Sequence, residues 1–177
     1  LLSLNNNYIM KNYTKAFKFF VNLLIFTVII SILEKGGSLL KHVNSSLTFI
    51  SSNSNPILVI FNLILLSYAL WLLIKFRKTI YTLHTDSVFS AKNGFSFTSI
   101  GRGLLFYSAG IFIIRVFENI LNKPTVKGES VAYNLGRDFG AALSDRIPLL
   151  VIAFFLLIVA QLIKEGYHLK QENDLTI

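Results

Sequence analysis

Two stretches of this chain, Ile57 to Ile74 and Ile147 to Ile163, carry no charge and only four polar or phenolic side chains between them: Asn62, Ser67, Tyr68 and Gln161. A helix that crosses the hydrocarbon core of a bilayer needs about 20 predominantly apolar residues, within a range of about 17–25. Both runs qualify directly. A third, Phe19 to Leu33, lies between Lys18 and Glu34, and Ala16 with the snorkelling stems of Lys15 and Lys18 lengthens it. A fourth, Gly103 to Ile114, continues past Arg115 as Val116 to Leu121, with Glu118 inside it. The chain is 53% hydrophobic and only 15% charged over 177 residues, and a water-soluble domain of that size cannot bury so much apolar surface. Soluble globular, disordered and collagenous classes are excluded. With no cysteine in the chain, disulfide scaffolds, cysteine-ligated zinc, iron–sulfur clusters and thiol nucleophiles are excluded too.

The runs read as helices. Ile57 to Ile74 has none of the polar–apolar alternation of a barrel strand, and a helix satisfies its own backbone in lipid. The expected fold is all-α: a polytopic membrane protein of four transmembrane helices in an up-down-up-down bundle. The spans cover about 16–33, 57–74, 100–121 and 147–163. Residues 1–15 form an N-terminal segment, 16–163 the transmembrane domain and 164–177 a C-terminal tail. Glu34-Lys35-Gly36-Gly37 after the first run offers no small-x-small cleavage site, so that run reads as a retained anchor rather than a signal peptide. Met10-Lys11-Asn12 resembles a natural start, with residues 1–9 as an upstream extension.

Orientation follows from the basic residues. With the N-terminus inside, the inner segments hold ten Lys and Arg and the outer ones seven. The cluster Lys75-x-Arg77-Lys78 stands at the end of the second run, where such charges weigh most. The reading is a multi-pass protein of the inner (cytoplasmic) membrane with both termini cytoplasmic.

The connections carry their own patterns. Phe76, Ile80 and Leu83 keep helical spacing beyond Ile74, which predicts that the second helix runs on to about Thr85. Ser90-Ala91-Lys92-Asn93 is an N-cap signal that opens the third helix well before its apolar run. Together they predict a basic helical hairpin extending inward. On the other side Val131, Leu135, Phe139 and Leu143 recur every four residues, predicting a short amphipathic helix at the outer interface or folded over the bundle. The Ser/Asn-rich stretch Gly36 to Asn55 is expected to be irregular, apart from a possible turn of helix at Leu39, Leu40 and Val43.

Arg115 and Glu118 share a face of the third helix. Charges there must pair or face the bundle interior, as an ion, proton or ligand site or as a pair that closes the bundle. Arg115 lies about 22 Å beyond Ile100 at ~1.5 Å per residue, past the midplane, which favours the closing pair. Asn22, Asn62 and Gln161 are the other intramembrane polar groups, expected as inter-helix glue and, in a transport reading, as the lining of a polar path. His42, His84 and His168 are scattered in separate segments without metal-ligand spacing. With no nucleophile motif, phosphate loop or carboxylate pair in a span, no cofactor, metal or catalytic residue is assigned, and the chain is not expected to be an enzyme. Gly101-Arg102-Gly103 is read as easing close helix packing. Gly136-x-x-x-Gly140 matches the helix-dimer pattern but falls in a polar segment. Trp71, the lone tryptophan, stands near the inner end of the second run, as interface aromatics do.

The stretches Phe89-Ser90-Ala91-Lys92-Asn93 and Ser99-Ile100-Gly101 precede and open the third run. The chain ends Gln161-Leu-Ile-Lys-Glu-Gly166-Tyr-His-Leu-Lys-Gln-Glu172-Asn173-Asp174-Leu175-Thr176-Ile177. These resemble a bacterial family of small four-span membrane proteins known as domain of unknown function 2975. Its members carry a "pFs-x-eN" segment before the third span and a tail "EG-x-x-L-x-x-ENDLTI". Lys92 departs from that pattern, where an acid is common, as does Phe97, where leucine is. The resemblance implies no activity. It does imply company, since the genes of the family often lie beside one for a very small helix-turn-helix regulator.

The expected role is therefore that of a regulatory or scaffold partner of a small cytoplasmic DNA-binding regulator. Lys78, Lys92, Asn93, Glu172, Asn173, Asp174 and Leu175 are the candidate docking residues. In this reading Leu175 and Ile177 fold back for apolar cover on the hairpin or on the partner, and Glu172 and Asp174 meet Lys78 or Lys92. The alternative is a small transporter or channel subunit. The lipid bilayer is an expected partner in either case. Direct nucleic-acid binding is not expected of a hairpin with no reading helix or stacking platform, and a homo-oligomer is compatible with both readings.

Overall fold

A computed structural model describes the backbone of residues 2–45, 55–85, 88–122 and 131–175. Five helices account for it: α1 (Leu2–Ser45), α2 (Pro56–Thr85), α3 (Ala91–Asn122), α4 (Val131–Ser144) and α5 (Ile147–Asp174). Four of them hold segments long and apolar enough to cross a membrane: Lys15–Leu40, Pro56–Leu83, Ala91–Asn119 and Ile147–Asp174. The chain is an all-helical, multi-pass membrane protein whose four long helices alternate in direction. Outward-facing Phe, Ile and Leu side chains run along all four, as a surface solvated by lipid requires.

Long-range packing forms a row. α1 lies along α2, α2 along α3, and α3 along α5, while α4 rests on α3. The sequence of α3 explains its central place. Gly94, Gly101 and Ser108 are spaced by seven and so fall on one stripe; Gly103 and Gly110, also seven apart, fall on another. Two residues of offset turn the second stripe about 200° from the first, to nearly the opposite side. The first stripe meets α5. A Cβ on Gly94 would lie 2.7 Å from the Lys164 stem, and one on Gly101 would lie 2.9 Å from the Leu157 side chain and 3.1 Å from the Ala153 carbonyl oxygen. The small residues of α5 at this seam, Ala153 and Ala160, are completely buried. The second stripe meets α2, where a Cβ on Gly103 would run into Leu72 and one on Gly110 would come within 2.8 Å of Leu65. Lipid tails are as apolar as leucine, so spanning helices associate through close packing of such small residues.

At the hairpin end the core consists of Phe97 and Ile100 from α3 with Leu156, Ala160 and Ile163 from α5, flanked by Phe76, Ile80 and Leu83 of α2. An edge-to-face ladder, Phe17–Phe76–Phe97, ties α1 into it. α2 ends at Thr85, as its apolar spacing predicts, and Ser90 caps α3: its hydroxyl accepts the Asn93 N–H at 3.3 Å and its carbonyl the Gly94 N–H at 3.1 Å. Such caps contribute about 1 kcal/mol. α4 forms where the four-residue spacing places it. Its Phe139 ring meets Phe112 edge-on at 5.0 Å, and Ala142 is buried. Gly136 and Gly140 have no neighbour within 4 Å among the described residues, so the dimer-like spacing mediates no helix packing among them.

Two expectations are corrected. The chain is not irregular from Gly36: α1 passes through Gly36-Gly37 and ends only at Ser45, and the remainder, 46–54, lies outside the described residues. A glycine costs a helix interior about 1 kcal/mol, which the helix on either side absorbs; the Ser38 hydroxyl donates to the Lys35 carbonyl at 2.7 Å across the pair. The tail does not turn back either. α5 continues straight to Asp174, and Leu175 keeps helical angles with 87% of its surface exposed; Ile177 lies outside the described residues. After Gly166 the segment holds no helix breaker, and a Tyr167–Gln171 hydrogen bond one turn apart reinforces it.

Candidate functional site

The two stretches that carry the family-like pattern are far apart in sequence and touch in space. A Cβ on Gly166 would collide with the Phe89 ring; only glycine lets the turn before α3 seat its aromatic on α5. One turn into α3, Asn93 is completely buried. Its Oδ1 accepts from the Thr82 hydroxyl at 3.1 Å, its Nδ2 donates to the Val88 carbonyl at 3.4 Å, and its backbone N–H meets Ser90. Asn93 thus joins the end of α2, the turn and the start of α3. This removes it from the candidate docking residues, because a side chain with no exposed surface meets no partner. A burial signal was present in the sequence, since Asn93 falls on the same α3 face as Phe97 and Ile100.

The remaining docking candidates are on the surface. Lys78 and Lys92 are exposed on the hairpin, and Glu172, Asn173, Asp174 and Leu175 are exposed on the last turn of α5. The helices bring the two groups to the same end of the molecule but do not fold the tail onto the hairpin. Between them, Lys164 is anchored over the Phe95 ring at 5.2 Å, Lys75 over Trp71 at 4.9 Å and Lys18 over Tyr81 at 3.9 Å. The three lysine–aromatic pairs are spread over the hairpin end, Trp71 and Tyr81 lying about 15 Å apart along α2, where apolar runs give way to charge and spanning helices place such pairs near headgroups.

At the other end Arg115 and Glu118 do pair, at 3.7 Å, and Asn62 from α2 donates to the second carboxylate oxygen at 3.4 Å. The three make one polar clasp between α2 and α3. Arg115 keeps 52% of its side chain exposed against 30% for Glu118, so the guanidinium reaches outward while the carboxylate points to the neighbouring helix. A carboxylate held by an amide and a cation is neutralised and anchored, and the clasp closes the helix pair. The other polar candidates do not join it. Asn22 faces outward on α1, and Gln161 faces outward on α5, donating to Glu165 at 2.9 Å. Asn22, Asn62 and Gln161 therefore line no common cavity. Among the described residues no three His, Asp or Glu side chains converge as metal ligands would.

A groove of about 380 Å³ remains on the face of α3 between its two glycine stripes, bordered by Tyr68 of α2 and Lys164 of α5. Arg102 and the exposed rings of Phe95 and Phe106 lie along it. Sequence reasoning did not single it out. The signal was available in the spacing of Phe95, Ser99, Arg102 and Phe106, which is one helical face with a charge in an apolar setting.

No curated protein and no solved structure matches the chain. A family model described as a protein of unknown function, DUF2975, matches residues 11–177, nearly the whole length and both stretches that Phe89 and Gly166 bring together. The chain belongs to this family of membrane proteins of unknown function.

Proposed function

We propose that the protein is a non-catalytic membrane scaffold that holds a small DNA-binding regulator at the cytoplasmic face of the inner membrane, with both of its own termini on that side. The observation that carries this reading is the projecting end of α5. From Ile163 to Asp174 the helix extends about 16 Å at ~1.5 Å per residue, beyond the last apolar run. Leu169 and Leu175 stand exposed on it beside Glu172, Asn173 and Asp174. Apolar side chains outside the lipid gain from a partner's cover. Phe89 packed on Gly166 roots the projection in the hairpin that displays Lys78 and Lys92. A rigid helix end with leucines and acids, next to a basic turn, offers a partner both apolar contact and charge register, and charge supplies orientation more than energy.

Crosslinking in native membranes followed by pull-down should recover a small DNA-binding protein with the full chain. Recovery should fall at least about fivefold when Asp174 to Ile177 are deleted, while membrane insertion is retained. Equal recovery from both would remove the tail from the mechanism, and absence of any DNA-binding protein from the full-chain sample would overturn the proposal. Its topology is tested separately. A reporter enzyme fused after Ile177 should show cytoplasmic activity, and activity of the outer compartment would contradict the ten-to-seven count of basic residues.

A further inference from the structure

We infer that the groove across α3 is a binding site for the headgroup of an anionic phospholipid, with the phosphate held by Arg102, Lys164 and Lys75. The argument begins with the faces of α3. One stripe is spent on α5 and the opposite one on α2, so the face between them, Phe95, Ser99, Arg102 and Phe106, is left open to the membrane. Its lining carries two cations, Arg102 of α3 and Lys164 of α5, and a third, Lys75 of α2, stands against the lining residue Ser99. Arg102 is exposed on α3 and, among the described residues, makes no ion pair or hydrogen bond. Lys164 leans in from α5. Lys75 of α2 donates to the Ser99 hydroxyl, using one of its three ammonium protons and leaving two. Tyr68, Thr98 and Ser99 supply hydroxyls, and among the described residues no carboxylate lines the groove.

Depth decides the ligand. Lys75 and Lys164 each stand at the residue where an apolar run ends, the level of the headgroup phosphates, and Lys75 and Lys164 are held there by Trp71 and Phe95. An unpaired guanidinium at that depth is costly unless it meets an anion. On the side toward the bilayer centre the same α3 face continues as Phe106, Ala109 and Ile113, all exposed, a track for acyl chains. A soluble phosphate would use the cations but not the track. A zwitterionic lipid would bring an ammonium into a site with three cations and no acid. The combination of bidentate-capable arginine, two lysines and an apolar track below fits a phosphodiester with net negative charge anchored by its own chains.

Native mass spectrometry of the purified full chain in detergent tests this with phosphatidylglycerol, phosphatidylcholine, glycerol phosphate and inorganic phosphate as probes. The expected result is retention of phosphatidylglycerol about tenfold above phosphatidylcholine, with neither soluble phosphate displacing it at equal concentration. Arg102→Gln combined with Lys164→Gln should lower phosphatidylglycerol retention about tenfold, whereas Lys170→Gln, on the exposed end of α5 outside the groove, should not. Equal retention of the two lipids, or unchanged binding by the double variant, would overturn the site. Displacement by glycerol phosphate or inorganic phosphate would overturn the lipid as its source. Should the double variant not fold, the comparison of lipids and competing phosphates on the wild-type chain decides the question.

Discussion

Gly101→Leu should lower the stability of the folded protein by about 3 kcal/mol or more, while Gly136→Leu and Gly140→Leu should raise it slightly. The three substitutions are chemically identical, and only the surroundings differ. At Gly101 a Cβ would already press on Leu157 and lie 3.1 Å from the Ala153 carbonyl oxygen. The side chain can rotate away, but the carbonyl belongs to the α5 backbone, so leucine can be fitted only by moving α3 and α5 apart. Overpacking of a fixed interface costs ~1–3 kcal/mol and at times more, and here separation also opens the seam where Ala153 and Ala160 are buried without gaps. Gly136 and Gly140 have no neighbour within 4 Å among the described residues, and replacing an exposed helical glycine gains about 0.5–1 kcal/mol of helix propensity. Thermal melts of the purified variants in one detergent, followed by helical circular dichroism, separate the two signs. A Gly101→Leu protein that melts with the wild type would mean that α3 and α5 do not approach as closely as the glycine stripe implies.

That contrast also shows where the sequence is informative. Four apolar runs dictate four spanning helices because bilayer thickness and helix rise leave little choice, and the every-four-residue apolar spacing of Val131 to Leu143 dictates α4 for the same geometric reason. The end of α2 at Thr85 and the start of α3 after Ser90 are legible because a cap and a helical repeat are local signals. Helix pairing is written less openly. Gly94, Gly101, Gly103 and Gly110 are visible in the sequence, but their meaning depends on two interleaved seven-residue spacings set about 200° apart, and reading only Gly101-Arg102-Gly103 conceals it. α1 is the reverse case. Gly36-Gly37 looks like a helix stop, yet glycine is only a modest local penalty and the flanking helix overrides it.

The polar residues divide in the same way. Arg115 and Glu118 pair because residues three apart on a helix must be neighbours, so their contact is legible. That Asn62 completes the clasp is a property of the α2–α3 register, a long-range fact. Leu175 stands exposed where burial was expected, since apolar character states a demand for cover without saying which molecule supplies it. The lipid groove was hidden because the cations in and beside it come from three helices, and each lysine or arginine alone is an ordinary topology signal.

Asn93 gives the second large effect. Asn93→Ala should cost about 2–3 kcal/mol and should open the α2–α3 turn to protease while leaving membrane insertion unchanged. The residue is fully buried and its amide satisfies Thr82 and the Val88 carbonyl. The Thr82 hydroxyl keeps the Thr79 carbonyl at 2.8 Å and the Val88 carbonyl keeps the Ser90 N–H at 3.1 Å, so truncation costs the two amide bonds that tie α2 to the turn, about 0.5–1.5 kcal/mol each, together with the small cavity it leaves. Insertion is set by the apolar runs, which the substitution does not touch. Limited proteolysis of oriented vesicles, with the rate of cleavage between Leu83 and Ser90 as the readout, measures the opening directly, and a melt gives the free energy. The comparison with Lys92→Ala is decisive. Lys92 is exposed on the adjacent position, so its loss should leave both the melt and the cleavage rate near wild type, within about 0.5 kcal/mol. If instead Lys92→Ala and Asn93→Ala behave alike, the turn is not held by the buried amide. If the lock is real, any weakening of partner recovery by Asn93→Ala follows from a loosened platform and should track hairpin cleavage, whereas weakening by changes at Leu175 should occur with the hairpin still protected. That separation distinguishes the part of the molecule that shapes the cytoplasmic end from the part that a partner would touch.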